Sequence, residues 1–216
     1  MNNLTTRKLT TIAMLSALGF AAVAFIRIPM VLFLEYSPKD VIIVLGGFIW
    51  GPFTAIAVSL ITSLIELFTI SSDGIIGFIM NVLASCSFAC TAAFIYKKDR
   101  TLRGSIIGLV SGTLAMTVMM IIWNYLVTPI YLGYPRSAVV ELLVPAILPF
   151  NLIKGGLNSA IVFLIYKPIV TALRKTVMKD DLITVEKGKV HPGMVIVAGV
   201  VIVTCIMVVL AMRGII

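Results

Sequence analysis

Asn151, Lys154 and Asn158 stand in the run Pro149-Phe150-Asn151-Leu152-Ile153-Lys154-Gly155-Gly156-Leu157-Asn158, inside an otherwise apolar stretch. On a helix, positions i, i+3 and i+7 lie within about 60° of one another, so these three side chains share a face. An ammonium and two amides converging there could hydrogen-bond an uncharged polyol or heterocycle. The same face could instead set Lys154 against a carboxylate and only fix packing. Gly155 and Gly156 leave room beside it. A second set, Gly77, Asn81 and Ser85, follows Ser71-Ser72-Asp73-Gly74 at four-residue spacing. That stripe suits ligand contact and close helix–helix contact equally. Asn124, within Trp123-Asn124-Tyr125, is an amide that lipid would leave unsatisfied, whereas its aromatic neighbours suit a membrane interface. The polar segment Leu34-Glu35-Tyr36-Ser37-Pro38-Lys39-Asp40 reads either as a turn leading into a helix or as a rim over a pocket. No acidic residue falls on the face of Asn151, which argues against a site for a cation. Arg27 and Glu66 lie in the same outer half of the expected bundle and could pair, or Arg27 could snorkel to the surface; a structural role is expected for both.

Several chemistries have no residues to perform them. The chain has no G-x-x-x-x-G-K-[ST] phosphate loop and therefore no such route to ATP. It has no HExxH motif and no Ser/His/Asp set, and His191 is its single histidine, so neither an enzyme nor a metal centre is expected. Cys86, Cys90 and Cys205 lie inside apolar runs and read as small hydrophobes.

The elements that must position these groups are membrane helices. Of the 216 residues, 60% are hydrophobic and only 12% charged, against roughly 25% charged in soluble domains. The net charge of +8 would suggest nucleic acid in a soluble protein. Here the cations sit between apolar runs, so membrane orientation explains them and no nucleic-acid partner is expected. The runs are 9–34, 41–70, 75–96, 104–131, 138–166 and 193–212. Gly46-Gly47 and Gly51-Pro52 punctuate the second, and charge placement divides it into 41–50 and 53–70. With that break, Arg7 and Lys8, the group Lys97, Lys98, Arg100 and Arg103, and the basic segment 167–189 all fall on one side. Without it, the last two groups would oppose the first. The positive-inside bias therefore requires the break and places the N-terminus in the cytoplasm. The first of the two helices is too short to cross a core of about 30 Å and must pack among protein. The expected fold is an all-α polytopic membrane protein. It comprises a six-helix domain over 1–175, a cytoplasmic linker over 176–192, and an additional C-terminal transmembrane helix within 193–216, read as peripheral. Along the first helix, Ala13, Ala17 and Ala21 recur at four-residue spacing, a face built for a close neighbour.

Taken in order and at their distances, the segment 34–41, Gly46-Gly47-Phe48-Ile49-Trp50-Gly51-Pro52, Gly77-Phe78-Ile79-Met80-Asn81, Trp123-Asn124-Tyr125 and the segment 148–155 resemble the substrate-binding S components of energy-coupling factor (ECF) transporters, and among them the riboflavin-specific ones. The resemblance spans about residues 5–175. It implies a six-helix subunit of the cytoplasmic membrane that captures riboflavin from outside. It also implies import through a transmembrane coupling subunit driven by two ATPase subunits, with no cofactor beyond the transported ligand. Asn124, Asn151 and Lys154 would bond the flavin, Asn81 would add an amide, and Gly77 would admit the ring close to backbone. Glu35, Tyr36, Ser37 and Lys39 would form the rim, and Ala13, Ala17 and Ala21 would dock on the coupling subunit. An S component for another vitamin, and a self-sufficient proton-coupled carrier using Glu66 and Lys154, remain alternatives.

Overall fold

The computed structural model describes residues 3–31, 34–133, 135–173 and 192–212; the linker, with His191 and the basic residues 174–190, lies outside them. Helix α1, Asn3–Phe25, ends where the first apolar run was expected to continue as helix. Pro29 is the cause. It offers no N–H and disfavours helical geometry at Ile28, so the chain turns extended. Ile28–Val31 (β1) pairs antiparallel with Leu34–Tyr36 (β2), with Ile28 opposite Tyr36 and Pro29 opposite Glu35.

The second apolar run divides as charge placement requires, into α2, Lys39–Trp50, and α3, Pro52–Thr69. Gly51 makes the break at φ +96°, a left-handed conformation that residues with a Cβ rarely adopt, and Pro52 opens α3 at its first position. At 12 residues α2 is about 18 Å long, too short to span. It is accordingly enclosed by protein: Ile43, Val44, Phe48 and Ile49 are buried, with α1, α3, α4 and α8 around them.

Helices α4, Gly74–Lys98, and α5, Leu102–Leu126, form the tightest pair. A Cβ on Gly112 would stand 2.5 Å from the Phe88 carbonyl oxygen, so only glycine allows this approach. After α5 the chain makes two short helices, α6 (Thr128–Leu132) and α7 (Arg136–Leu142). A π-helical turn, Leu143–Ile147, then leads into α8, Leu148–Leu173. Pro145 and Pro149 remove donors from this stretch, and the wider turn accommodates the loss. Four of the long helices and the continuous stretch Arg136–Tyr166 are long and apolar enough to cross a membrane. With α2 they make the six-helix core. A further helix, α9 (Pro192–Met212), packs on α8 and touches β1.

One core cluster fills the bundle between α2, α4, α5 and α8, capped by Phe48 stacked 4.2 Å from Tyr96, with Tyr166 edge-on to both. A second joins the hairpin to the start of α8 through Met30, Leu34, Tyr36, Ile147, Phe150 and Ile153.

Candidate functional site

A cavity of about 330 Å³ opens where α1, α3 and α5 end and α4 and α8 begin. The hairpin contributes Leu34, Glu35 and Ser37, and the turn after α3 contributes Ser71, Ser72 and Asp73. The opposite end of the bundle carries the basic turn with Lys97 and Arg100, beside Trp50. The cavity and this basic turn therefore occupy opposite ends of the bundle.

Of the nine binding residues expected from sequence, Glu35, Ser37, Asn81, Asn124, Asn151 and Lys154 line this cavity. Asn124 and Asn151 are almost fully buried and donate to the carbonyls one turn back, Met120 at 2.7 Å and Ile147 at 2.8 Å. The oxygen of Asn124 also accepts from Thr128 Oγ1 at 2.9 Å. These bonds fix which way each amide faces. Met80, Ala84, Met120 and Phe150 supply an apolar wall among the polar groups.

Tyr36 and Lys39 do not form the rim. Alternation along β2 exposes Glu35 and turns Leu34 and Tyr36 inward. The Tyr36 hydroxyl donates to Asn158 Oδ1 at 3.0 Å, and burial beside Asp40 pushes this phenol well above its usual range, so it stays a donor. Lys39, 2% exposed, donates to both oxygens of Glu66 at 2.7 and 2.9 Å. Two readings fail here. Arg27 pairs with Glu35 at 3.2 Å, because the hairpin folds Glu35 back over the end of α1, and Glu66 is already taken by Lys39. Nor is the site free of acid. Glu66, Asp73 and Glu35 line the cavity, and Asp40, fully buried on the first turn of α2, pairs with Lys154 at 3.4 Å. These carboxylates come from elements other than α8.

Gly77 lines an adjoining cleft of about 120 Å³ with Trp123, Asn124 and Tyr131. A Cβ there would collide with Asp73, so the glycine is required by its own helix start. Tyr131 Oη donates to Asp73 Oδ1 at 3.2 Å across this cleft.

Two buried ion pairs thus underlie the site, and an amide bonds the acid of each. Asn81 Nδ2 donates to Glu66 at 3.3 Å. Asp40 accepts from Ser85 and, at 3.4 Å, from Asn158 Nδ2. Asn158, expected on the ligand face, lies one turn deeper and bonds Asp40 and Tyr36. Such a floor is chemically inert. It offers donors and acceptors held in place, and it suits the retention of an uncharged polar molecule with a flat apolar part.

The residues 7–166 match the family model of the ECF transporter, substrate-specific component. The chain is 34% identical over 178 residues to the riboflavin transporter RibU of Staphylococcus aureus (strain TCH60), covering 78% of this chain and 93% of that one. It is 32% identical over 173 residues to the riboflavin transporter FmnP of Bacillus subtilis (strain 168), covering 74% and 90%. A solved structure of the S component of a bacterial ECF transporter superposes with a TM-score of 0.66 at 34% identity, over 79% of this chain and 99% of that one. The family is a transporter component and not an enzyme. Matched by the family model over residues 7–166 and by these relatives, the chain belongs to the substrate-specific (S) components of ECF transporters.

Proposed function

We propose that this S component binds riboflavin in the cavity bounded by Asn81, Asn124, Asn151 and Lys154 and releases it inward through the coupling subunit and ATPases of an ECF module. The observation that carries the reading is the pairing of fixed amides and one ammonium with the apolar wall of Met80, Met120 and Phe150 in one cavity of about 330 Å³. An isoalloxazine ring presents a flat apolar surface edged by carbonyls and an imide N–H, and its ribityl chain presents hydroxyls. The cavity offers a counterpart to each. The relatives named as riboflavin transporters support the same ligand. Glu66 and Lys154, the groups a proton-coupled carrier would employ, are held by separate partners, Lys39 and Asp40.

The cavity faces outward on this reading and the N-terminus is cytoplasmic. Support comes from Arg7, Lys8 and the basic residues of 97–103, which belong to the end away from the cavity. Ala13 and Ala17 are exposed along α1, as a face docking on the coupling subunit must be.

Riboflavin titration of the purified protein tests the ligand. Saturable quenching of flavin fluorescence at one site per chain is expected, and a colourless protein that leaves the fluorescence unchanged would remove riboflavin from the reading. Within the site, Lys154→Ala is expected to weaken binding by about 1–3 kcal/mol, the cost of a buried charged donor lost to the ligand. Unchanged affinity in the same titration would leave Lys154 the single task of holding Asp40.

A further inference from the structure

Helix α9 lies beyond the family match, which ends at residue 166, yet it is seated against the site. Ala198, Ile202, Cys205 and Val209 recur at spacings of four, three and four and form its inner stripe. Ala198 is 2% exposed, and Ile202, Cys205 and Val209 pack on the cluster that joins the hairpin to α8. Gly156 of α8 faces this stripe: a Cβ added there would lie in ordinary contact with Cys205 Sγ, at 3.4 Å. Most of the opposite face, including Ile196, Val200, Val203 and Met207, is exposed and apolar.

The cluster under α9 is the back of the pocket. Phe150 belongs to it and also lines the cavity. Leu34 likewise belongs to both, and Tyr36 belongs to the cluster. From Tyr36 a chain of contacts runs through Asn158 and Asp40 to Lys154. We propose that α9 is a positioning element of the pocket, in which Ile202, Cys205 and Val209 hold the hairpin against α8 and thereby slow ligand release. The inference rests on the riboflavin reading for its ligand, but the hairpin contact itself does not. Side chains packed in this way cannot raise the rate at which ligand finds an open cavity. They act on the rate at which its wall moves aside.

The double variant Ile202→Ala/Val209→Ala of the full chain tests this. Riboflavin dissociation, followed by stopped-flow fluorescence, is expected to accelerate about tenfold with association unchanged, as for an interaction that acts on residence. Amide exchange in the ligand-free protein is expected to rise at 28–31 and 34–36 and to stay unchanged in α4 and α5. Adding Gly156→Cys supplies the rescue. Oxidation should join the introduced thiol to Cys205 and restore slow dissociation, and reductant should reverse it. If the double variant does not fold, Ile202→Ala alone gives the same two readouts. Unchanged dissociation, or exchange that rises throughout the bundle, overturns the proposal. A Gly156→Cys protein that never cross-links overturns the seating of α9. If the chain binds no riboflavin, the ligand reading fails, and unchanged exchange at the hairpin then overturns this proposal separately.

Discussion

Replacing Lys39 with methionine is expected to cost the folded protein about 3–5 kcal/mol, because it strands Glu66 as a carboxylate with no cation in a buried site. Lys39 is 2% exposed and gives Glu66 two bonds, of 2.7 and 2.9 Å. What remains to Glu66 is Asn81 at 3.3 Å, a neutral donor. The double variant Lys39→Met/Glu66→Met should recover most of the loss, since replacing both members of a buried pair by apolar groups is often neutral. Thermal unfolding of the detergent-purified proteins checks both statements. A single variant as stable as wild type would show that the pair contributes nothing. A double variant no better than the single would show that Lys39 acts through packing and not through Glu66.

The two variants should also part in binding. Glu66 and Asn81 both line the cavity, and Lys39 holds Glu66 where Asn81 can reach it. The double variant regains stability but loses this orientation, so its affinity for riboflavin should remain below that of wild type. A floor of paired charges is costly to bury and is kept where the task needs polar groups in fixed directions. The second pair, Asp40 with Lys154, is looser, a single contact at 3.4 Å, with Ser85 and Asn158 completing the acid's hydrogen bonds.

The helices were legible in the sequence because their lengths and breaks are local properties. Gly51-Pro52 marks the end of α2, and the distribution of Arg7, Lys97 and Lys98 requires a break there. The faces were legible for the same reason. Asn81 and Ser85, or Asn151 and Lys154, share a side of one helix by spacing alone. What faces them was not legible, since Lys39 meets Glu66 across 27 positions and Asp40 meets Asn158 across 118. Periodicity states the direction of a side chain and says nothing of its partner, so it neither singles out Asp40 nor tells Arg27 which acid to meet. Tyr36 was within reach. Two-residue alternation about the exposed Glu35 already points Leu34 and Tyr36 inward, once Pro29 is taken to end the helix and begin a strand.

Enlarging Ala13 and Ala17 together to tryptophan is expected to reduce ATP-driven riboflavin uptake to background while leaving riboflavin binding at its wild-type affinity. Helix α1 has two unlike sides. Thr11, Leu15, Ser16, Gly19 and Val23 are buried, where α1 meets α2 and α3. Ala13, Met14, Ala17 and Leu18 are exposed, Met14 by 43% and Leu18 by 51%. Small residues one turn apart let a neighbouring helix come close in lipid, where packing replaces the hydrophobic effect as the driving force. Two indole rings would fill that shallow groove and hold the neighbour away. Neither alanine lines the cavity, whose nearest residue from this helix is Val23. Binding and transport are therefore expected to separate on α1. The measurement is paired: flavin titration of the isolated chain, and uptake into vesicles carrying the assembled module, with co-purification of the coupling subunit as the direct readout of docking. Uptake that survives the substitution would move the docking face elsewhere. Binding lost in step with uptake would mean that the alanine face supports the pocket instead of meeting a partner.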